Sequence, residues 1–134
     1  YFYNVYGPKQ IDKGSMATVI GIFEEQYKNN KFLTVVKPGT QSRRFTHIND
    51  TIEACYFAWE KKMCRHYSIS SKTSYTITQV AKFFSSKIKF LPPRRGERYA
   101  SALTNMNLSN KVHKIFGKIK LKEYVKEWKK TFKK

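Results

Sequence analysis

The chain has 134 residues, 40% hydrophobic and 16% aromatic, enough for one packed domain and too apolar for a disordered segment. No run approaches the roughly 18 consecutive apolar residues that a membrane span requires. Twenty-seven Lys and Arg against nine Asp and Glu leave a net charge of +18, which raises an anionic partner as the first expectation. The opening run from Tyr1 to Tyr6 reads as a buried strand. Gly7-Pro8 stops it, since proline cannot donate to a ladder and Gly-Pro is a breaker pair. A strand and turn at the first residues read as the middle of a domain. From Met16 to Asn30, Val19, Ile20, Phe23 and Tyr27 recur at helical spacing, with Ser15 as N-cap and Asn29-Asn30 as the end.

Phe32 to Val36 is a short strand rich in β-branched residues, halted at Pro38-Gly39. Thr40 to Ile48 is extended, anchored by Phe45 and Ile48. Asn49-Asp50 caps a helix through Lys62 whose inward face is Ile52, Cys55, Tyr56 and Trp59. Arg65 to Ser70 alternates as a strand, and Ser71 to Ser74 is a turn. Thr76 starts a helix carrying Ile77, Val80, Ala81 and Phe84. Lys87 to Leu91 is a further strand, ended by Pro92-Pro93. Helices at about 108–116 and 121–132 complete the chain, with Gly117 as punctuation between them. Helices alternating with short strands predict an α/β fold.

The charge is uneven. Residues 111–134 hold ten Lys and two Glu, so +8 falls within the last 24 positions. A solvated basic face and a nucleic-acid-binding patch both account for it. Cys55 and Cys64 have no metal-ligand spacing and read as reduced thiols of a cytoplasmic protein. There is no G-x-G-x-x-G, no P-loop, no metal cluster and no Ser/His/Asp set in the sequence. Tyr27-x-x-x-Lys31 has the spacing of a phenol-ammonium pair, but its Lys lies at the frayed end of a helix and the match reads as coincidence.

Three polar segments carry possible chemistry. Asn4, before Tyr6-Gly7-Pro8, lies near a strand's C-terminal end, where open α/β sheets bind ligands. Pro38-Gly39-Thr40-Gln41-Ser42-Arg43-Arg44-Phe45-Thr46-His47-Ile48-Asn49-Asp50 leads a glycine turn into paired arginines, whose planar forks suit phosphate oxygens. His47, beside an N-cap, reads as a hydrogen-bonded structural residue rather than a base. Pro92-Pro93-Arg94-Arg95-Gly96-Glu97 is a proline-stiffened loop bearing guanidinium and carboxylate groups. A charged surface loop is the plain alternative for the second and third segments.

In order and spacing, these segments resemble the C-terminal half of the extended short-chain dehydrogenase/reductase family, the nucleotide-sugar epimerases and dehydratases. Tyr1 to Pro8 is similar to the family's Arg-Tyr-Phe-Asn-Val-Tyr-Gly-Pro. Residues 38–50 resemble Gly-x-Gly-x-x-x-Arg-Asp-Phe-x-x-Val-x-Asp, and Arg94-Arg95-Gly96-Glu97 resembles Arg-x-Gly-(Asp/Glu). Lys72 to Ile77 resembles a Ser-(Tyr/Val)-Ser-Ile helix start, and Leu108 to Gly117 an Asp-Ile-Ser-Lys-Ala-Lys-x-Leu-Leu-Gly helix. Arg44 stands where the family has Asp, Asn49 where it has an acidic residue, and Leu108 where it has Asp; the Trp-x-Pro after Gly117 is absent.

The resemblance implies an α/β fold forming the substrate-binding portion of an extended Rossmann-type protein. Residues 1–134 would be one partial domain, with the NAD-binding half and its catalytic Tyr and Lys upstream. It implies NAD as cofactor and a nucleotide sugar, UDP-hexose foremost, as substrate. It further implies a cytoplasmic homodimer in which this stretch alone is inactive. Asn4 would contact the sugar diphosphate, Arg43 and Arg94 would pair with its phosphates, and Glu97 would accept from a ribose hydroxyl. Thr18 and Val19 would approach the base through their backbone. The resemblance implies no membrane partner and disfavours nucleic acid as a partner; a basic nucleic-acid-binding module is the alternative reading of the whole.

Overall fold

The computed structural model describes residues 2–61, 69–96 and 117–132. The first strand, β1, is only Val5–Tyr6. The longer buried strand expected from Tyr1 fails because Asn4 takes a left-handed backbone at φ 45°, a conformation asparagine tolerates better than most residues. Phe2 consequently stays 61% exposed. Helix α1 covers Val19–Lys28 and is capped by Thr18, not Ser15: the Thr18 hydroxyl accepts from the Gly21 N–H at 3.0 Å. Its Ile20 and Phe23 are buried as the spacing required.

Strand β2, Leu33–Val36, and the later β6, Ile88–Leu91, pair in parallel with Leu33 opposite Ile88 and Val36 opposite Leu91. Strands β3, Ser42–Arg44, and β4, Thr46–His47, break the expected extended run in two. β4 lies parallel to β1. β3 pairs antiparallel with β5, Ser74–Thr76, inside a stretch whose sequence reads as turn into helix.

Helix α2, Ile48–Lys61, starts directly after β4, so Asp50 lies in its first turn rather than at its cap. Its side chain, 2% exposed, accepts from the backbone N–H groups of Lys118 at 3.2 Å and Ile119 at 3.0 Å. Those two bonds fix the roll of the helix. Asp50, Thr51 and Ala54 face inward, and the expected apolar face is turned out, with Ile52, Tyr56 and Trp59 at 59%, 62% and 68% exposure. Helix α3, Ile77–Phe84, starts at Thr76 as expected, with a capping box between Thr76 and Gln79, and buries Ile77, Val80, Ala81 and Phe84. Helix α4, Leu121–Lys130, buries Leu121 and Val125.

The core joins α1, α3 and α4 over β2. Phe23 meets Phe84 edge-on at 6.0 Å, and Phe84 meets Trp128 at 5.7 Å. Helices packed on mostly parallel strands make this an α/β arrangement. The expected helix near 108–116, most of the strand at 65–70, Cys64 and Glu97 lie outside the described residues. Among the described residues no helix is long and apolar enough to cross a membrane, and no group of three or more His, Cys, Asp or Glu could hold a metal.

Candidate functional site

Parallel pairing sends the C-terminal ends of β2 and β6 to the same edge, and the Lys37 N–H donates to Leu91 O at 3.0 Å across it. The chain leaving β2 turns at Gly39 and enters β3; the chain leaving β6 runs through Pro92-Pro93 to Arg94. Asn4 and the start of α1 close the remaining sides. The result is a cavity of about 290 Å³ that brings together Asn4, Val19, Arg43 and Arg94 from four separate segments. Ile22, Phe23 and Leu91 add apolar wall.

Arg43 and Arg44 diverge because successive side chains of a strand point to opposite faces. Arg43 lines the cavity, and its Nη1 also donates to Ser42 O at 2.8 Å. Arg44 instead donates to the carbonyls of Ser71 and Lys72, at 3.2 and 2.6 Å, and fastens that loop. Arg94 stands exposed at the rim. Asn4 donates from its carboxamide to Arg44 O at 3.1 Å, while its own carbonyl accepts from Thr46 N–H. The residue that would greet a ligand therefore also pins the junction of β3 and β4.

Thr18 is not among the lining residues; its hydroxyl, besides capping α1, donates to Gln10 Oε1 at 3.0 Å. Its backbone is engaged as well: the N–H donates to Ile11 O at 3.0 Å and the carbonyl accepts from the Ile22 N–H at 2.9 Å. Gln41 is one of the lining residues that sequence reasoning passed over. It is 2% exposed, donates from Nε2 to Val36 O at 3.0 Å and accepts on its backbone carbonyl from the Ile77 N–H. Its Oε1 is buried without a hydrogen-bond partner, a state that costs about 1–3 kcal/mol. An uncharged amide between Thr40 and Ser42 gives no signal of such burial in the sequence.

Gly39 sets the loop's path. It sits at φ +77°, where a side chain is strained, and a Cβ there would lie 2.3 Å from Thr78 Oγ1. Thr78 in turn donates to Gly39 O from both its N–H and its hydroxyl, at 3.1 and 2.9 Å. These contacts hold the approach to Arg43 against the start of α3.

His47 takes no part in the cavity. It is buried, packs edge-on to Tyr6 at 5.2 Å, and accepts on Nδ1 from the Asn49 N–H at 3.2 Å; burial pushes its imidazole below the ordinary value. Tyr27 packs against Trp128 at 5.8 Å while Lys31 pairs with Glu25 at 3.0 Å, so those two residues form no catalytic pair. A larger hollow of about 430 Å³ adjoins another face of α1 beside Glu24 and Trp128. Burial raises the Glu24 carboxyl, to which Tyr124 donates at 2.9 Å. That hollow holds neither Arg43 nor Arg94, and the smaller cavity is the better candidate because cationic forks and apolar wall converge there. Such a pairing suits a flat ring joined to phosphates.

The family model described as the NAD dependent epimerase/dehydratase family matches residues 1–70. The chain is 35% identical over 63 residues to ADP-L-glycero-D-manno-heptose-6-epimerase of Fusobacterium nucleatum, covering 42% of this chain and 19% of that protein. It is 32% identical over 88 residues to UDP-glucuronic acid decarboxylase 6 of Arabidopsis thaliana, covering 65% of this chain and 25% of that protein. Its fold superposes on UDP-glucose 4-epimerase from Thermotoga maritima, solved with UDP-glucose, with a TM-score of 0.73 and 23% identity, over 98% of this chain and 45% of that one. The chain thus spans a quarter or less of these two curated relatives and under half of the solved structure.

Proposed function

The chain belongs to the NAD dependent epimerase/dehydratase family, and we propose that its cavity is the nucleotide-sugar site of such an enzyme, with chemistry like that of UDP-glucose 4-epimerase. The observation that carries this reading is the convergence of Asn4, Val19, Arg43 and Arg94 on one cavity from positions as far apart as 4 and 94. In it the base lies against Val19 and Ile22, beside the backbone at Thr18. Arg43 and Arg94 grip the diphosphate, Asn4 meets it near the sugar, and Glu97 accepts from a ribose hydroxyl. Gln41, with its unmatched buried oxygen, supports the shape of the arginine loop.

Gly39 is not a dinucleotide cradle. A pyrophosphate cradle needs glycine backbone open to the ligand, whereas Gly39, beside the cavity, is packed against Thr78, Phe90 and Val35. In this reading residues 1–134 act as one substrate-binding portion, with NAD held mainly by another part of a homodimeric cytoplasmic protein. When bound there, NAD supplies transient oxidation at the sugar's C4; the residues of this chain bind and orient the sugar nucleotide, and the chain alone does not turn it over.

Calorimetric titration of UDP-glucose into the wild type and into Arg43→Gln and Arg94→Gln tests the reading. Each guanidinium–phosphate contact is worth about 1.5–3 kcal/mol, so each variant should bind at least about tenfold more weakly. Unchanged affinity in both would remove the diphosphate assignment.

A further inference from the structure

We propose that the lysine-rimmed groove between α3 and α4 binds single-stranded nucleic acid. The groove encloses about 400 Å³ and is lined by Phe83 and by Lys82, Lys122, Lys126, Lys129 and Lys130. It shares no lining residue with the Arg43–Arg94 cavity. The sequence produces it by periodicity. Leu121 and Val125 turn one side of α4 into the core, so Lys122, Lys126, Lys129 and Lys130, at i, i+4, i+7 and i+8, share another. Lys82 faces them from α3.

Two of these ammonium groups are engaged within the protein. Lys129 donates to the carbonyls of Phe83 and Phe84 at the end of α3, at 3.4 and 2.8 Å, as a cation should at a helix C-terminus. Lys130 pairs with Glu127 at 2.7 Å. Lys82, Lys122 and Lys126 have no carboxylate partner among the described residues. Three unpaired cations around one groove repel each other and gain when an anion enters.

Charge and shape together select the occupant. From Lys122 to Lys130 the helix rises about 12 Å, the length of roughly three phosphates of a stacked strand. Phe83, the aromatic residue in the groove's lining, is half-buried and packs T-shaped with Tyr75 at 5.3 Å; its ring is the floor we assign to a base. A membrane is disfavoured because the apolar side of α4 is already spent in the core. An acidic peptide would satisfy the rim but supplies no flat ring for the floor.

Fluorescence anisotropy with a labelled oligothymidylate, over a salt series on the full chain, tests this. The logarithm of affinity should fall linearly with the logarithm of salt, and Lys82→Gln/Lys122→Gln/Lys126→Gln should flatten that slope by about 2, at roughly 0.7 per lost phosphate contact. Phe83→Leu should weaken binding several-fold at unchanged slope, and Lys122→Arg/Lys126→Arg should keep the wild-type slope. UDP-glucose binding should be unchanged in the triple variant. An unaltered slope in that variant, no binding by the wild type, or equal binding of oligoglutamate or of phosphatidylserine vesicles would overturn the proposal.

Discussion

Replacing Gly39 by alanine probes the loop that delivers Arg43. The added Cβ would meet Thr78 Oγ1 at 2.3 Å and Phe90 and Val35 at 3.0 Å, on a backbone at φ +77°. The left-handed conformation alone costs a residue with a Cβ about 1–2 kcal/mol. Relieving the closest contact requires Thr78 to swing away, which gives up its 2.9 Å hydroxyl bond to Gly39 O, worth about 1 kcal/mol. Reduced entropy of the unfolded chain returns about 0.4–1 kcal/mol. The net expectation for Gly39→Ala is a loss of about 2 kcal/mol, read by urea denaturation with unchanged slope. A double-mutant cycle isolates the cause. Thr78→Ala alone should cost about 1 kcal/mol, and the double variant about as much as Gly39→Ala, because both lose the same hydrogen bond. Additive costs, or a loss below about 0.5 kcal/mol for Gly39→Ala, would refute the contact as the origin.

Asp50→Ala strands the N–H groups of Lys118 and Ile119 and should cost about 3 kcal/mol by chemical denaturation; a loss under about 1 kcal/mol would show that the clamp is dispensable. His47 is held below its ordinary value of 6.5 by burial, so the unfolded state takes up the proton first as pH falls. Stability should therefore drop as pH falls below about 6.5, and His47→Gln should remove that part of the profile. Glu24 is displaced the other way, upward from 4.5, with burial the largest cause. Its contribution should make stability decline as pH rises above 4.5, and Glu24→Gln should flatten that stretch. A profile unchanged by either substitution would contradict the corresponding assignment.

Helix α3 was readable because two local signals agreed: the Thr76 start, and apolar residues at Ile77, Val80, Ala81 and Phe84. Strands β2 and β6 were readable for a similar reason, β2 as a short β-branched run and β6 as an alternating one, each ended by proline. Helix α2 was legible as a helix but not in its orientation. Its largest apolar residues suggested one face, and the roll is instead set by Asp50 reaching residues 68 and 69 positions later. β5 was missed because three residues form a strand only when β3 is beside them. At the site, charge and loop chemistry indicated the arginine pairs 43–44 and 94–95 and the family resemblance singled out Arg43 and Arg94, whereas which of Arg43 and Arg44 turns inward depends on the phase of a three-residue strand. Gln41 had nothing local to announce it.

The parallel register of β2 and β6 ties ligand recognition to the folding equilibrium. Leu91 is paired with Val36, and the two arginine loops leave from those ends, so the distance between their cationic groups is a property of strand alignment. A slip of one residue would move one loop by about 3.3 Å and reverse the facing of its strand. A diphosphate spanning both arginines thus rewards one alignment over its neighbours. By linkage, saturating ligand at one hundred times its dissociation constant should add about 2.7 kcal/mol to the native state. A sugar nucleotide bound as proposed would act as a clasp across the sheet.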